Sequence, residues 1–396
     1  MKFLQAVVLV CLCSVPSIAD NFLVLPFFNL EKSNSLDWVG ESISEAIREA
    51  LASEGVLTLE RDAREEAFRR LSVKPYTPLT TASVIRLAES VDAEQVIFGS
   101  FKVIPPPSQS GSQPKALGTL RITAQAIDLK KARRGPEYSE GGALEDLASL
   151  QSHLAWQTLE FVLGDRRPTD AQFRARQSLV RVDAIESYVR GLLVASPEQK
   201  LKYFTQAVRL DPKYSNANFE LGRLSFQRKA YRPAAEFLQK VAPSYVNYRE
   251  ATFLLGLSRY YLGEFGAAEQ AFQIVAQQVP LNEVLNNLGA AQSRLNQPAA
   301  IDNFRKALEG DRSDPVYHFN VGYALLQQGR FDEAAEKFRA VLERNPDDME
   351  ATTMLGRCLR KLPVKSPSRS EGVERVKETY LESAYWQLKA VLEPKR

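Results

Sequence analysis

The apolar and polar positions of this chain follow two different rhythms, one in each half. The first half opens on an apolar run, Phe22-Leu23-Val24-Leu25-Pro26-Phe27, followed by polar turn residues from Glu31 to Ser35. From about Leu36 to Ser53 the apolar residues Ile43, Ile47 and Leu51 recur every four positions, the repeat of one helix face. The pattern predicts a buried strand feeding an amphipathic helix that Gly55 ends. A short strand at 56–59, helices near 61–71 and 81–91, and a strand at 95–103 continue the series. Strands alternating with helices build an α/β layer. Ile104-Pro105-Pro106-Pro107 and the stretch from Ser108 to Pro114 interrupt it as an exposed loop, before a strand at 117–128. Residues 142–163 then read as a helix, with Leu147, Leu150, Leu154 and Phe161 within reach of one face. The basic cluster Asp165-Arg166-Arg167-Pro168 leads into a linker over 166–180.

In the second half the rhythm repeats itself. Gly222, Gly256, Gly289, Gly322 and Gly356 are 34, 33, 33 and 34 residues apart. Around Gly322 stand Val321, Leu325, Gly329, Phe331, Ala334, Phe338, Val341 and Pro346; around Gly256 stand Leu255, Gly263, Phe265, Ala268, Phe272, Val275 and Pro280. Leu221, Tyr231, Ala234 and Leu238 mark a third copy. Leu288, Ala300, Phe304 and Ala307 mark a fourth, and a looser one runs from Ala184 to Pro212 with Phe204 and Ala207 in place. The small residues let two antiparallel helices approach, the large ones fill between repeats, and the proline stops the second helix. This pattern resembles the tetratricopeptide repeat proteins over roughly residues 180 to 362. The resemblance implies an all-α solenoid behind the α/β domain, with about six repeats across 181–393.

A second resemblance covers roughly residues 21 to 130, where the segments are similar to the TolB-type amino-terminal domain of bacterial envelope proteins. They are Val24-Leu25-Pro26-Phe27 with Asn29, Trp38-Val39-Gly40-Glu41-Ser42-Ile43, Ile97-Phe98-Gly99, and Arg121-Ile122-Thr123-Ala124-Gln125 with Ile127-Asp128. It implies an α/β domain over 20–165 with no catalytic residues. Pro26, Asn29 and Gly40 carry an ordinary structural reading, as strand-end and close-packing positions.

What the repeat family implies about function is a concave groove, lined by the first helices, that takes extended peptides or helices. Carried over by position, the groove-facing residues are Phe219, Arg223, Phe226, Phe253, Leu257, Tyr260, Asn286, Ala290, Ser293, Phe319, Tyr323 and Leu326. Most are apolar or aromatic, and the basic and asparagine pattern by which some relatives hold a carboxyl terminus is absent. The expected partner is therefore an apolar protein segment or helix. The alternative is that these aromatics pack within the array or under another segment.

Composition narrows the functional classes. Hydrophobic residues at 44% and charged residues at 25% exclude wholesale disorder. Lys+Arg 51 against Asp+Glu 48 is too balanced for a chain devoted to nucleic-acid phosphates. The basic run Arg357, Arg360, Lys361, Lys365 and Arg369 lacks interleaved aromatics. His153 and His318, the two histidines, read as structural and offer no metal site. No phosphate-binding glycine loop and no H-E-x-x-H occurs, so no cofactor and no catalysis are expected. The reading is a protein-interaction scaffold. The rivals are an accessory subunit or an enzyme with a site in the amino-terminal domain, and a purely structural envelope component. A polar pocket with a strongly shifted carboxylate in residues 21 to 165 would favour the enzyme.

The two ends complete the reading. Lys2, the apolar run Phe3 to Cys13 and the small residues ending at Ala19 have the order of a secretory signal peptide over 1–19, which places the chain in the periplasm or outside the cell. The run is about half the roughly 20 residues that a membrane helix needs. Past Pro363, residues 371–393 read as one helix, with Val373, Val376, Tyr380, Ala384, Leu388 and Val391 at three- and four-residue steps. It is expected to cap the end of the array; the alternative is a free helix for another chain. The leader gives a direct prediction: amino-terminal sequencing of the exported protein starts at Asp20, and an intact Met1 overturns the assignment.

Overall fold

The computed structural model describes residues 21–31, 34–105, 117–177, 179–363, 373–382 and 385. The leader, most of the Pro/Ser-rich insert, and Ala384, Leu388 and Val391 of the expected cap lie outside the described residues.

β1 (Phe22–Val24) is apolar at every position because both of its faces are covered. Phe22 and Val24 point into one apolar cluster with Ile43, Ile47 and Leu51, while Leu23 and Leu25 point into another with Phe68, Val84 and Leu87. The strand expected at 22–27 breaks at Pro26, and β2 (Phe28–Asn29) resumes it. β1 and β2 pair in parallel with β3 (Gln95–Ile104). β4 (Thr119–Asp128) and β5 (Arg133–Ala143) follow antiparallel, giving the order β1-β3-β4-β5. The sequence at 56–59 forms only an isolated bridge, Phe22 with Thr58.

α1 (Asp37–Ser53) and α4 (Leu147–Leu163) cover one face of the sheet; α2 (Arg61–Arg70) and α3 (Thr81–Glu89) cover the other. Gly40 is what allows α1 to lie so close, since a Cβ there would stand 1.8 Å from the Phe27 carbonyl oxygen. Gly99 does the same for the Phe27 ring, 2.3 Å from where its Cβ would be. These two glycines of the amino-terminal motifs thus have a packing reason.

The solenoid follows as helix pairs, α6 (Val182–Leu193) with α7 (Pro197–Leu210) and α8 (Ser215–Gln227) with α9 (Tyr231–Leu238). Then come α10 (Tyr248–Tyr261) with α11 (Phe265–Gln278), α12 (Asn282–Arg294) with α13 (Ala300–Gly310), and α14 (Pro315–Gln327) with α15 (Phe331–Arg344). α16 (Met349–Leu359) is the last first-helix, and no second helix follows it among the described residues. Each pair closes on one contact. A Cβ on Gly191, Gly222, Gly256 or Gly289 would stand 2.4 to 2.8 Å from Phe204, Leu238, Phe272 or Phe304, and one on Gly322 would stand 3.2 Å from Phe338. The turn between helices needs a left-handed residue, and Gly263 and Gly329 take it at φ 76° and 73°.

Two expectations need correction here. The stretch 166–180 is not a plain linker, because it holds α5 (Asp170–Arg174), whose Phe173 is buried in a core shared with Ile43 of α1 and Ile185 and Tyr188 of α6. The capping helix at 371–393 is not found over 373–381, where an extended stretch at 375–377 lies between bends at Glu374 and Glu378; among the described residues of 371–393 only Glu382 and Tyr385 are helical. No helix among the described residues is long and apolar enough to cross a membrane.

The pair contacts predict a contrast between two glycines. Gly289→Ala drives a methyl group into Phe304 and near the Ala300 carbonyl, and is expected to cost about 1–3 kcal/mol. Among the described residues a Cβ on Gly356 would meet only Arg360 Nη2, at 3.8 Å, so Gly356→Ala gains helix propensity of up to about 1 kcal/mol. Urea denaturation of both variants checks the pair; equal effects overturn it.

Candidate functional site

Residues of the first helices α8, α10, α12, α14 and α16 lie against the chain's own residues 373–382 and form a groove around them. Asn287 of α12 and Asn320 of α14 each pair with the extended backbone as a neighbouring strand would. Asn287 accepts from the Lys377 amide at 2.8 Å and donates to the Lys377 carbonyl at 2.7 Å. Asn320 accepts from the Arg375 amide at 2.8 Å and donates to its carbonyl at 2.7 Å; Asn286 donates to the same carbonyl at 2.8 Å. Asn320 also donates to the Asn286 Oδ1 at 2.7 Å. All three asparagines are fully buried, and in such surroundings an unpaired amide would cost about 1–3 kcal/mol.

Side chains fix the register. Glu374 enters the array, accepting from Ser293 Oγ at 2.6 Å with Arg294 Nη1 at 4.0 Å. Arg375 reaches Asp348 at 2.7 and 2.8 Å and Glu350 at 3.0 Å, and its guanidinium lies 3.6 Å from the centroid of the Phe319 ring. That pairing holds the Asp348 carboxyl below the usual range. Lys377 meets Asp314 at 2.5 Å, Tyr261 donates to Glu378 at 2.8 Å, and Tyr380 packs on Phe253 at 4.6 Å between ring centres. Glu382 pairs with Arg249.

Against this geometry the expected groove residues divide. Phe253, Asn286, Ser293 and Phe319 touch the segment. Arg223 and Phe226 line a cavity of about 610 Å³ beside Tyr380. Phe219, Leu257, Tyr260, Ala290, Tyr323 and Leu326 are buried in the apolar core of the array. Of these, Tyr323 has its hydroxyl pushed up to about 12 by burial and the nearby Glu374 charge. The expectation of an apolar segment or helix does not describe this occupant, which is extended and charged at 374, 375, 377 and 378. Asn287, Asn320, Arg294, Asp314 and Asp348 were not among the expected residues. The one signal for them is that Asn286 and Asn320 are 34 residues apart, one repeat.

A second cleft, of about 580 Å³, lies where the α/β domain meets the first repeats. Glu49 of α1 accepts there from Asn216 at 2.5 Å, among Tyr188, Tyr214 and Tyr245, and lost hydration pushes its carboxyl up to about 7. His153, also on its wall, stacks on Trp156 and pairs with Glu140 at 2.5 Å. His318 bonds the Arg312 carbonyl at 3.0 Å. Among the described residues no group of three or more His, Cys, Asp or Glu is placed to hold a metal.

The sequence profile of the tetratricopeptide repeat family matches residues 201–246 and 319–363. The human protein O-mannosyl-transferase TMTC1 is 28% identical over 142 residues, which are 34% of this chain and 16% of that protein, so the match spans about a sixth of the relative's length. Among solved structures, MamA is 20% identical over 38% of this chain and 89% of its own, with a TM-score of 0.36. MamA of Desulfovibrio magneticus RS-1 is 22% identical over 40% and 92%, also at 0.36. YrrB, described as a TPR protein with an unusual peptide-binding site, is 19% identical over 49% and 93%, at 0.35. The chain carries tetratricopeptide repeats.

The Glu49 cleft yields a pH prediction. A folded pKa of about 7 against 4.5 unfolded means the fold binds the extra proton between those values, so stability falls as pH rises through that window. Glu49→Gln keeps the bond from Asn216 and removes the titration. The variant is expected to be more stable than the natural chain by about 1–2 kcal/mol at pH 8, with the difference closing toward pH 4.5. Urea denaturation across pH measures it, and parallel profiles refute it.

Proposed function

We propose that this chain is a non-catalytic scaffold of the cell envelope that holds an extended segment of another protein in the concave groove of its repeats. The observation that carries the reading is the asparagine pairing of Asn287 and Asn320 with both backbone groups of Lys377 and Arg375. Main-chain pairing of this kind is how an extended peptide is bound at a sheet edge; here side-chain amides stand in for the strand. The leader, and the resemblance of residues 21 to 130 to a TolB-type domain, support export and an envelope location.

Glu49 is the one observation that favours the enzyme reading, since it is a shifted carboxylate in a cleft. Beside it stand the Asn216 amide, the charged Arg48 and Glu45, and three tyrosines, and burial raises the hydroxyls of Tyr188, Tyr214 and Tyr245 well above their usual range. These three hydroxyls stay protonated at neutral pH, so none of the tyrosines is an activated nucleophile beside the carboxyl.

The test uses the full chain with Asn287→Ala and Asn320→Ala. Hydrogen exchange at the Arg375 and Lys377 amides is expected to accelerate at least about tenfold, the size of a lost buried partner. A photo-reactive amino acid replacing Phe226 is expected to capture partner chains from envelope fractions in the natural background and to lose them in the double variant. Unchanged exchange, or equal capture, in a folded double variant overturns the reading.

A further inference from the structure

Backbone pairing alone would accept any extended chain, but the side chains around residues 374–380 select. Alternate residues of an extended segment face opposite ways. Glu374 is the buried member, 6% exposed, against Ser293 and Arg294. Arg375 and Lys377 turn to carboxylates on the groove wall, Asp348 with Glu350 and Asp314. Val376 and Tyr380 pack against the apolar core. Glu374, Arg375 and Lys377 thus each face an opposite charge, while Glu378 accepts from the Tyr261 hydroxyl, so the complementarity is set position by position and is not a general acidic or basic surface.

We propose that the groove selects an extended strand of the pattern acidic, basic, apolar, basic, with an aromatic three residues further on. Residues 374–380 are an internal copy of that ligand, and they close the groove until a partner strand of the same pattern displaces them. The proposal rests on the peptide-binding reading above and adds the ligand's chemistry and the closure. A buried carboxylate pocket penalises a basic residue at the first position, because Arg294 would face a like charge away from water. A tethered ligand acts at an effective concentration in the millimolar range, so a separate strand making the same contacts binds the natural chain poorly.

The experiment measures fluorescence anisotropy with a labelled peptide of residues 372–383 and the full chain in three forms: natural, Arg375→Glu and Glu374→Lys. Both substitutions lie in the segment and outside the helical array, and either one sets like charges against each other. The peptide is expected to bind both variants at least tenfold more tightly than the natural chain. A scrambled peptide, and one carrying Glu374→Lys, are expected to bind the variants at least tenfold more weakly than the native peptide. Equal binding of the native peptide to all three proteins overturns the closure. Equal binding of native and scrambled peptides to the variants overturns the selection while leaving the peptide-binding reading intact. If no peptide binds either variant, that reading falls and the proposal falls with it.

Discussion

The contact between a glycine of the first helix and a large side chain of the second sets the spacing within each repeat, and the groove depends on it. Gly256 beneath Phe272 and Gly289 beneath Phe304 leave room for no side-chain carbon, so the two helices sit as close as backbone allows. Repeating that contact at a pitch of 33 or 34 residues brings equivalent first-helix positions side by side. Asn286 and Asn320 are such a pair, one repeat apart and hydrogen-bonded to each other at 2.7 Å. A shift in helix spacing would separate them, and the Arg375 carbonyl they share would lose one of its two donors.

The same logic governs the beginning of the array. A solenoid must cover the apolar face of its first repeat, and here α1 of the α/β domain does so, sharing one core with α5, α6 and α7. α1 is buried on its polar side as well. Glu41 there takes Arg61 at 2.8 Å, Arg64 and the Tyr76 hydroxyl at 2.9 Å, and Arg61 reaches on to the Leu192 carbonyl of α6 at 2.6 Å. Removing one member of such a buried set strands the others without partners, which costs more than the set contributes. The network therefore fixes how α1 meets the repeats more than it adds to stability. The far end differs, since Met349 and Leu359 of α16 remain 83% and 62% exposed among the described residues.

How much of this was legible follows from which forces leave a periodic trace. The repeats did, through glycines, aromatics and prolines at fixed offsets, and so did α1 and β3, where burial on a regular face spaces the apolar residues. β5 did not: Arg133, Arg134, Glu137 and Ser139 face solvent along it, Tyr138 is its one buried side chain, and its pairing with β4 is made by backbone groups common to every sequence. Phe173 was missed because a single buried aromatic in a polar stretch has no period. Asn287 and Asn320 were passed over because an isolated polar residue on a helix reads as surface until the backbone it serves is in view; Asn286 entered the expected groove by its repeat position alone.

Residues 373–382 show why periodicity misleads when the partner surface is external to the segment. Val373, Val376 and Tyr380 have helical spacing, and all three do pack against the array, but from an extended chain. An isolated helix of this length is marginal in water, so its backbone bonds contribute little beyond what solvent offers. The groove offers more to the extended form. Buried amides pair the backbone at Arg375 and Lys377, and Asp348, Asp314, Ser293 and Arg294 receive the charges that a helix would have left in water. The competition is therefore decided by groups more than 25 residues earlier in the chain, which is why no local reading of 371–393 could decide it.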